Sequence, residues 1–192
     1  MIIGITGTIG SGKSTAASIF EKHGFRLVDA DKIGHKLLEK GTKQYHELVN
    51  CFGVGILDEK NNIVRQKLGD AAFSEKKKYK ALNSIMLPSI IKEIKNHIIN
   101  STNKNIVIDA PLLLETKAKE LVDKVIVVKT SPPNILRRNR RFPKERVQRV
   151  KYYQMSLAEK LKHADYVLNN EGNVKNLENQ VVNVIKKLNN NI

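Results

Sequence analysis

The sequence contains a single cysteine and lacks any long hydrophobic run. One cysteine, Cys51, excludes an internal disulfide and a metal site built from several cysteines, and its apolar neighbours predict an inert, packed side chain. No apolar stretch reaches the roughly eighteen residues that a membrane-spanning helix needs. No basic segment precedes the first apolar residues at Ile2, so a secretory signal is not expected. We therefore expect a cytoplasmic protein with no membrane partner.

Aromatic residues are also scarce, at 5% of the chain, whereas the formal net charge is high, at +15. Two explanations of the charge stay open: a nucleic-acid partner, or a phosphate-rich small substrate together with a lysine-rich surface. The scarcity of aromatic residues argues against a surface on which bases stack. Basic residues are concentrated in residues 137–151, which hold eight Lys or Arg residues and one Glu. We favour the small phosphorylated ligand and predict no nucleic-acid partner.

Residues 2–22 combine an apolar strand, a glycine-rich turn and the start of a helix. Within the turn, Gly7, Gly12, Lys13 and Ser14 match the pattern G-x-x-x-x-G-K-[ST]. Glycines let backbone N–H groups curl around a phosphate, the lysine reaches the β- and γ-phosphates, and the serine hydroxyl binds Mg²⁺. The positive N-terminus of the helix adds to this attraction. The pattern predicts a nucleotide-binding site, with Lys13 on the phosphates and Ser14 on the metal.

Acidic residues follow two further predicted strands. Residues 25–31 read as a short strand ending in Asp29 and Asp31, and residues 105–111 as a strand with Asp109 at its end. Ligands of parallel α/β sheets bind beyond the carboxyl ends of the strands, so these acids should face the phosphate turn. We expect Asp109 to bind Mg²⁺. We favour Asp31, in a loop after the strand, as the catalytic base. The alternative is that one of the two acids only caps the helix that follows, and we assign that structural role to Asp29.

Alternating strands and helices continue along the chain. Further strands are predicted at residues 124–130 and 165–170, and an apolar stripe after them predicts a closing helix. This alternation predicts an α/β protein with a parallel sheet, an architecture that resembles the P-loop kinases. We expect one domain with a core of about residues 1–31, 104–130 and 164–192, a helical acceptor-binding region of about residues 32–103, and a lid of about residues 131–163.

Helical periodicity dominates the region between the second and third predicted strands. Two helices are predicted at residues 32–40 and 43–52, and two more between residues 75 and 100, the second of them opening at Pro88. Arg65 follows a turn within this region. It is either a substrate ligand or an ordinary surface arginine, and the pattern alone does not decide between these roles.

The basic segment predicts a lid over the bound nucleotide. Like charges clustered along a helix repel one another, so the segment should be stable only where it is solvated or faces anions. Arg137 and Arg141 are four residues apart, which would place both guanidinium groups on one helix face, towards the phosphates. A merely basic surface is the alternative. A GTP-dependent switch protein is disfavoured because no Asn-Lys-x-Asp motif is present.

These motifs together resemble the bacterial dephospho-coenzyme A kinases nearly from end to end. The resemblance rests on GITGTIGSGKST, VDADKIGH, CFGVGIL, IDAPLLLE, the lid arginines, YYQMS and ADYVLNNEG. It implies a P-loop kinase fold with a three-layer α/β/α core, and transfer of a phosphoryl group from ATP, with Mg²⁺, to the ribose 3′-hydroxyl of dephospho-CoA. This is the last step of CoA synthesis. The alternatives are another small-metabolite kinase and a nucleic-acid-binding P-loop protein.

The same resemblance implies roles for individual residues. Asp31 would be the base at the ribose hydroxyl, and Lys13, Arg137 and Arg141 would act catalytically on the phosphates. The residues implied in ATP binding are Gly10, Ser11, Gly12, Lys13, Ser14, Thr15, Asn170 and Gly172. The residues implied in binding dephospho-CoA are Asp31, His35, Arg65, Pro111, Leu112 and Glu115. We expect a monomer or a weak homo-oligomer.

Overall fold

The computed structural model describes residues 1–131, 134 and 152–190. The chain forms two compact units. The core unit comprises Met1–Asp29 and Asn100–Ile192, and the helical unit comprises Ala30–Ile99. The chain therefore leaves the core unit once, directly after its second strand, and returns to it before the third.

The core unit contains a five-stranded sheet in which all neighbouring strands are parallel. Its strands are β1 (Ile2–Gly7), β2 (Arg26–Asp29), β3 (Ile106–Asp109), β4 (Lys124–Lys129) and β5 (Tyr166–Asn169). Their order in the sheet is β2-β3-β1-β4-β5. The three inner strands are buried over nearly their whole length, as their continuous β-branched sequences favour. The predicted α/β fold with a parallel sheet is confirmed.

Both faces of the sheet are covered. On one face, α1 (Lys13–Lys22) and the closing helix α7 (Val174–Asn189) bury apolar side chains against Ile3 and Ile5 of β1. Successive side chains of a strand alternate between faces, so Gly4 and Thr6 belong to the other face. There a Cβ added to Gly4 would clash with Leu113, and α6 (Leu157–Lys162) packs against β1 and β4.

The helical unit is built around one long helix. Its helices are α2 (Ala30–Leu37), α3 (Lys43–Phe52), α4 (Arg65–Ala72) and α5 (Lys76–Ile99). The side chain of Thr42 accepts a hydrogen bond from Tyr45 N over 3.0 Å, which caps the start of α3. The helices and the short 3₁₀ turn Val54–Ile56 enclose an apolar core that includes Leu48, Ile56, Leu68 and Met86. None of the described helices is long and apolar enough to cross a membrane.

The structure corrects the prediction of two helices between residues 75 and 100. A single helix, α5, runs through this segment with Pro88 in its interior. Proline removes one N–H donor and crowds the carbonyl four residues earlier, which often ends or kinks a helix. Here the buried side chains of Met86 and Ile94 lie on both sides of Pro88. Burial of apolar residues before and after the proline favours a continuous helix over a break.

Two further expectations are corrected. β2 ends at Asp29 and α2 begins at Ala30, so Asp31 lies in the first turn of a helix and not in a loop. An acidic side chain is favourable there because the helix N-terminus carries partial positive charge. Cys51 is exposed and is not the packed residue that its apolar neighbours predicted, because it lies on the solvent side of α3.

Candidate active site

The glycine-rich turn joins β1 to α1. Gly10 and Gly12 have φ angles of 74° and 92°, in a region that residues with a Cβ atom rarely adopt. Within the turn, Ser11 N donates to Thr8 O over 3.1 Å, and Lys13 Nζ lies 3.5 Å from the same oxygen. No side chain of the described residues caps α1, which begins directly after Gly12. The amides of its first turn are therefore available to an anionic ligand.

The base of the turn is tightly packed. A Cβ atom on Gly7 would collide with the carbonyl oxygen of Val128 and would lie 2.7 Å from Ser11 Oγ. Two buried hydroxyl oxygens of the turn, Thr8 Oγ1 and Ser11 Oγ, have no hydrogen-bond partner in the described part of the chain. Buried polar atoms are nearly always paired, and a phosphate in the turn would bring acceptor oxygens to this region. The residues present fit a bound triphosphate.

The side chain of Asn170 connects the end of β5 to this turn. Its amide donates to Ser11 O over 2.8 Å, and its backbone oxygen accepts a hydrogen bond from Thr130 Oγ1 over 2.9 Å. Asn170 is buried. Gly172, which was predicted with Asn170 near the adenine, lies exposed on the following turn. The described hydrogen bond gives Asn170 a structural contact with the phosphate-binding turn; its predicted contact with adenine stays a prediction.

Two aspartates end neighbouring strands. Asp29 of β2 and Asp109 of β3 lie opposite one another in the parallel register, and Asp109 pairs on its other side with Ile5 of β1. The carboxyl end of β1 leads directly into the phosphate-binding turn, so β3 places the buried Asp109 beside that turn. Ser14 lies in the first turn of α1. This arrangement brings the two predicted metal ligands to the same edge of the sheet.

A buried lysine behind the turn was missed by the sequence reasoning. Lys160 of α6 has no exposed surface, and its ammonium donates to Glu115 Oε1 over 2.9 Å, to Pro111 O over 2.7 Å and to Thr6 Oγ1 over 3.1 Å. Burial lowers the pKa of the Lys160 ammonium, whereas the hydrogen bond and charge of Glu115 raise it. The residue thus connects the segment after Asp109 to the strand before the turn.

The sequence did contain a signal for this residue. Lys160 follows Leu157 by three residues and precedes Leu161, which puts it on the apolar side of a short amphipathic helix. The helix begins with a capping box in which Ser156 accepts from Glu159 N and the Glu159 carboxylate accepts from Ser156 N. A well-defined helix start together with a lysine at an apolar position indicates a buried cation that needs an acidic partner.

Within the helical unit, two predicted substrate ligands lie together. Arg65 is the first residue of α4, and its guanidinium Nη1 lies 2.5 Å from Nε2 of His35 on α2. Asp31 is exposed in the first turn of the same helix as His35. The helical unit therefore places three residues predicted to bind the acceptor on two of its helices, with His35 and Arg65 in direct contact.

The remaining predicted residues fall into two groups. Pro111, Leu112 and Glu115 follow β3 in a series of turns, and Glu115 is engaged by Lys160. Arg137 and Arg141 lie outside the described residues. At the start of the predicted lid, Glu171 accepts hydrogen bonds from Ser131 N and from Asn134 Nδ2, the latter over 2.7 Å.

A parallel sheet with a phosphate-binding turn at the end of its central strand places the chain among the P-loop kinases. The shikimate kinase of Acinetobacter baumannii has the same fold, with a TM-score of 0.57 over 97% of this chain and 93% of that chain. The two sequences are 14% identical, so this similarity concerns the fold alone.

Sequence comparison identifies the family. The family model described as dephospho-CoA kinase matches residues 1–176. A dephospho-CoA kinase of Bacillus cereus is 37% identical over 196 residues, which cover 98% of each chain. The solved dephospho-CoA kinase of Campylobacter jejuni superimposes with a TM-score of 0.69 and 29% identity, covering 100% of this chain and 98% of that chain. The chain belongs to the dephospho-CoA kinase family.

Members of this family are transferases that phosphorylate dephospho-CoA in the final step of CoA biosynthesis. The predicted family, the enzyme class and ATP as the nucleotide are confirmed by this membership. The match to the dephospho-CoA kinase family model extends over residues 1–176. It therefore disfavours the two alternatives considered from the sequence, a different metabolite kinase and a nucleic-acid-binding P-loop protein.

Proposed function

We propose that the chain transfers the γ-phosphoryl group of ATP to the ribose 3′-hydroxyl of dephospho-CoA, with the predicted residues in the predicted roles. The observation that carries this proposal is the geometry at the carboxyl edge of the sheet. There the phosphate-binding turn leaves β1, and Asp109 ends the adjacent strand β3. Phosphoryl transfer depends mainly on positioning and charge stabilisation, and this edge offers amide dipoles, a cation and a carboxylate together.

The nucleotide is bound by the turn and the start of α1. Residues 10–15 surround the phosphates with backbone amides, and Lys13 places its ammonium on the β- and γ-phosphate oxygens. Asn170 and Gly172 lie at the end of β5 and form the adenine side of the site in this proposal. Asn170 contributes in addition by holding Ser11 O, which fixes the path of the turn.

Ser14 and Asp109 would hold Mg²⁺. No cluster of three or more His, Cys, Asp or Glu side chains suited to a metal exists among the described residues. Mg²⁺ in P-loop proteins needs no such cluster, because it is bound by one hydroxyl, one or two carboxylates, phosphate oxygens and water. The buried Asp109 and the hydroxyl of Ser14 fit this donor set. The bound ion would neutralise charge on the β- and γ-phosphates.

Several residues would activate and orient the acceptor. Asp31 accepts the proton of the ribose hydroxyl as general base. Arg65 and His35 bind the acceptor's phosphate groups, for which a guanidinium supplies paired donors. In the core unit, Pro111, Leu112 and Glu115 would contact the acceptor in this proposal. Glu115 would do so through its backbone and through Oε2, which has no hydrogen-bond partner among the described residues.

Arg137 and Arg141 complete the proposed site from the basic segment. Two guanidinium groups spaced by four residues can meet the phosphate oxygens on which charge develops during transfer. The high net charge then serves to attract two phosphate-rich substrates, and we propose that the protein binds no nucleic acid. We further propose that it acts in the cytoplasm, without a membrane partner, as a monomer or a weak homo-oligomer.

A panel of acceptors tests this function. Purified protein with ATP and Mg²⁺ should release ADP when dephospho-CoA is present, and the product should be CoA by mass spectrometry. Nucleoside monophosphates, shikimate and gluconate serve as matched controls, because other P-loop kinases of this size use such acceptors. Equal turnover with a nucleoside monophosphate would contradict the assignment of the acceptor.

A further inference from the structure

Lys160 is a fully buried lysine that belongs to none of the motifs recognised in the sequence. All three hydrogen-bond donors of its ammonium are used, by Glu115 Oε1, Pro111 O and Thr6 Oγ1 at 2.9, 2.7 and 3.1 Å. The acceptors come from two separate segments of the core unit, β1 and the turns that follow β3. The ammonium therefore links these segments to α6 and is not a surface charge.

The cross-linked segments lead directly to the two sides of the proposed site. Thr6 immediately precedes Gly7, where the phosphate-binding turn begins. Pro111 lies two residues after Asp109. Thr6 Oγ1 also donates to Pro111 O over 3.1 Å, so hydroxyl, carbonyl and ammonium form a closed set of contacts. Movement of the strand before the turn relative to the segment after Asp109 would break these contacts.

Glu115 also contacts the residues that lead into α6. Its oxygen Oε1 accepts from Met155 N over 3.0 Å as well as from Lys160. The same carboxylate therefore also holds the residues that directly precede α6. Removal of the Lys160 ammonium would leave the Glu115 carboxylate without its cation in a largely buried place, and such a group shifts its position or takes up a proton.

Stability alone does not account for this arrangement. A buried ion pair is frequently no better for stability than apolar side chains of similar volume, because both charges lose their hydration. A methionine at position 160 would fill the same space and would suit the apolar side of α6. The advantage of the lysine is its set of three directed hydrogen bonds, which an apolar side chain cannot supply.

Proximity to the phosphate site supports a role in the reaction. The positive charge of Lys13 is among the causes that lower the pKa of Lys160, after burial itself. Thr6, to which the Lys160 ammonium donates, directly precedes the turn that leads to Lys13 at the start of α1.

We propose that Lys160 is a positioning residue for phosphoryl transfer: through Thr6, Pro111 and Glu115 it fixes the phosphate-binding turn relative to Asp109. This inference rests on the site proposed above. It does not make Lys160 a ligand of either substrate. Its effect should fall on kcat, because a small displacement of otherwise intact groups weakens the alignment needed for transfer more than it weakens binding.

The test compares Lys160→Met with Lys160→Arg and Lys124→Met. Lys124→Met removes another lysine that forms an ion pair in the core unit, with Asp165 at 3.1 Å. Lys124 lies at the amino end of β4, far from the phosphate edge. Each variant is assayed with ATP and dephospho-CoA at a temperature where circular dichroism shows it fully folded. Affinity for ADP is measured separately by calorimetry, because ADP binding reports on the turn alone.

We expect Lys160→Met to lower kcat on the order of 10²-fold, with the dissociation constant for ADP changed by less than about threefold. Lys160→Arg keeps a cation but in a larger, planar group, so it should recover only part of this loss, and Lys124→Met should leave kcat within about twofold of the parent. A folded Lys160→Met variant with the kcat of the parent protein would overturn the proposal. So would an equal loss in Lys124→Met, which would indicate general destabilisation.

A second variant covers the case in which Lys160→Met does not fold. Lys160→Met combined with Glu115→Gln removes both charges, so no unpaired buried charge remains to unfold the protein. Glu115→Gln alone is assayed beside it, because Glu115 is also proposed to contact the acceptor. The double variant should lose kcat beyond that single variant, and parental turnover in the double variant would overturn the inference. If the parent protein itself fails to phosphorylate dephospho-CoA, the proposed function is wrong; an active parent with an unaffected Lys160→Met variant contradicts the positioning role only.

Discussion

Asn170 at the end of β5 donates its side-chain amide to the backbone oxygen of Ser11 over 2.8 Å. The residue that directly follows the edge strand β5 thereby holds the phosphate-binding turn, across 159 residues of sequence. The contact is buried, and the remaining oxygen of the same residue's backbone is held by Thr130. The position of the turn therefore depends on the residue that follows the edge strand β5, as well as on the glycines of the turn.

Asn170→Ala should therefore weaken phosphate binding as such. The change leaves the buried Ser11 oxygen without its donor, which costs about 1–3 kcal/mol of unfolding free energy. We expect weaker binding of ATP and also of inorganic tripolyphosphate, which carries no base. Both affinities can be measured by calorimetry. If tripolyphosphate binding is unchanged while ATP binding falls, Asn170 acts through adenine and not through the turn.

Asn169→Ala is the matched control for this prediction. Asn169 is the neighbouring residue, its side chain is exposed, and its backbone N–H and oxygen are held by Gln180 at 2.8 and 2.9 Å irrespective of its side chain. Substitution of an exposed side chain away from special contacts usually changes stability by no more than about 0.5 kcal/mol. Affinity for both phosphate ligands should stay at the parental value.

Asp31→Asn should separate catalysis from binding. The amide keeps the shape and one acceptor but cannot take up the proton of the acceptor hydroxyl, so turnover should fall by roughly 10²–10⁴, with ATP affinity little changed. The measurement is steady-state kinetics beside equilibrium binding of ATP. Asp29→Asn is the control, since Asp29 ends β2 two residues earlier. Loss of turnover in Asp29→Asn alone would reverse the assignment of the base.

Replacement of Arg141 by lysine should lower turnover far more than replacement of Arg138. Lysine keeps the charge but loses the paired donors with which a guanidinium binds two phosphate oxygens. Arg138 lies in the same segment as Arg141 and carries the same charge. Arg138 directly follows Arg137, however, and is not four residues from it, so it would not lie on the same helix face. Arg138→Lys is therefore a matched control. Steady-state kinetics and ATP binding are compared for the two. Equal turnover would leave the basic segment with a role in attraction only.

Binding to random duplex DNA should be weak despite the net charge of +15. Contacts between scattered lysines and phosphates release counterions, so any complex should weaken steeply between about 50 and 200 mM salt. Fluorescence anisotropy of a labelled duplex across this range measures the effect. Tight binding that persists at the higher salt concentration would favour a nucleic-acid function for the basic segment.

The sequence by itself determined the features that rest on local chemistry. The phosphate-binding turn was predictable because its glycines, Lys13 and Ser14 carry out their roles within a few residues of one another. The strands were predictable from short β-branched runs, and the structure places them within one or two residues of the expected bounds, as for β3 and β4. The family resemblance rested on the same short motifs and is confirmed by the comparisons.

Only the tertiary structure decided the contacts that join distant segments. Lys160 meets Thr6 across 154 residues and Asn170 meets Ser11 across 159, and no local pattern specifies such a partner. Local rules also failed where packing competes with propensity. Pro88 was expected to begin a helix, yet buried residues on both sides of it keep α5 continuous. Periodicity reports how each segment can fold, whereas the burial of side chains against other segments selects among those possibilities.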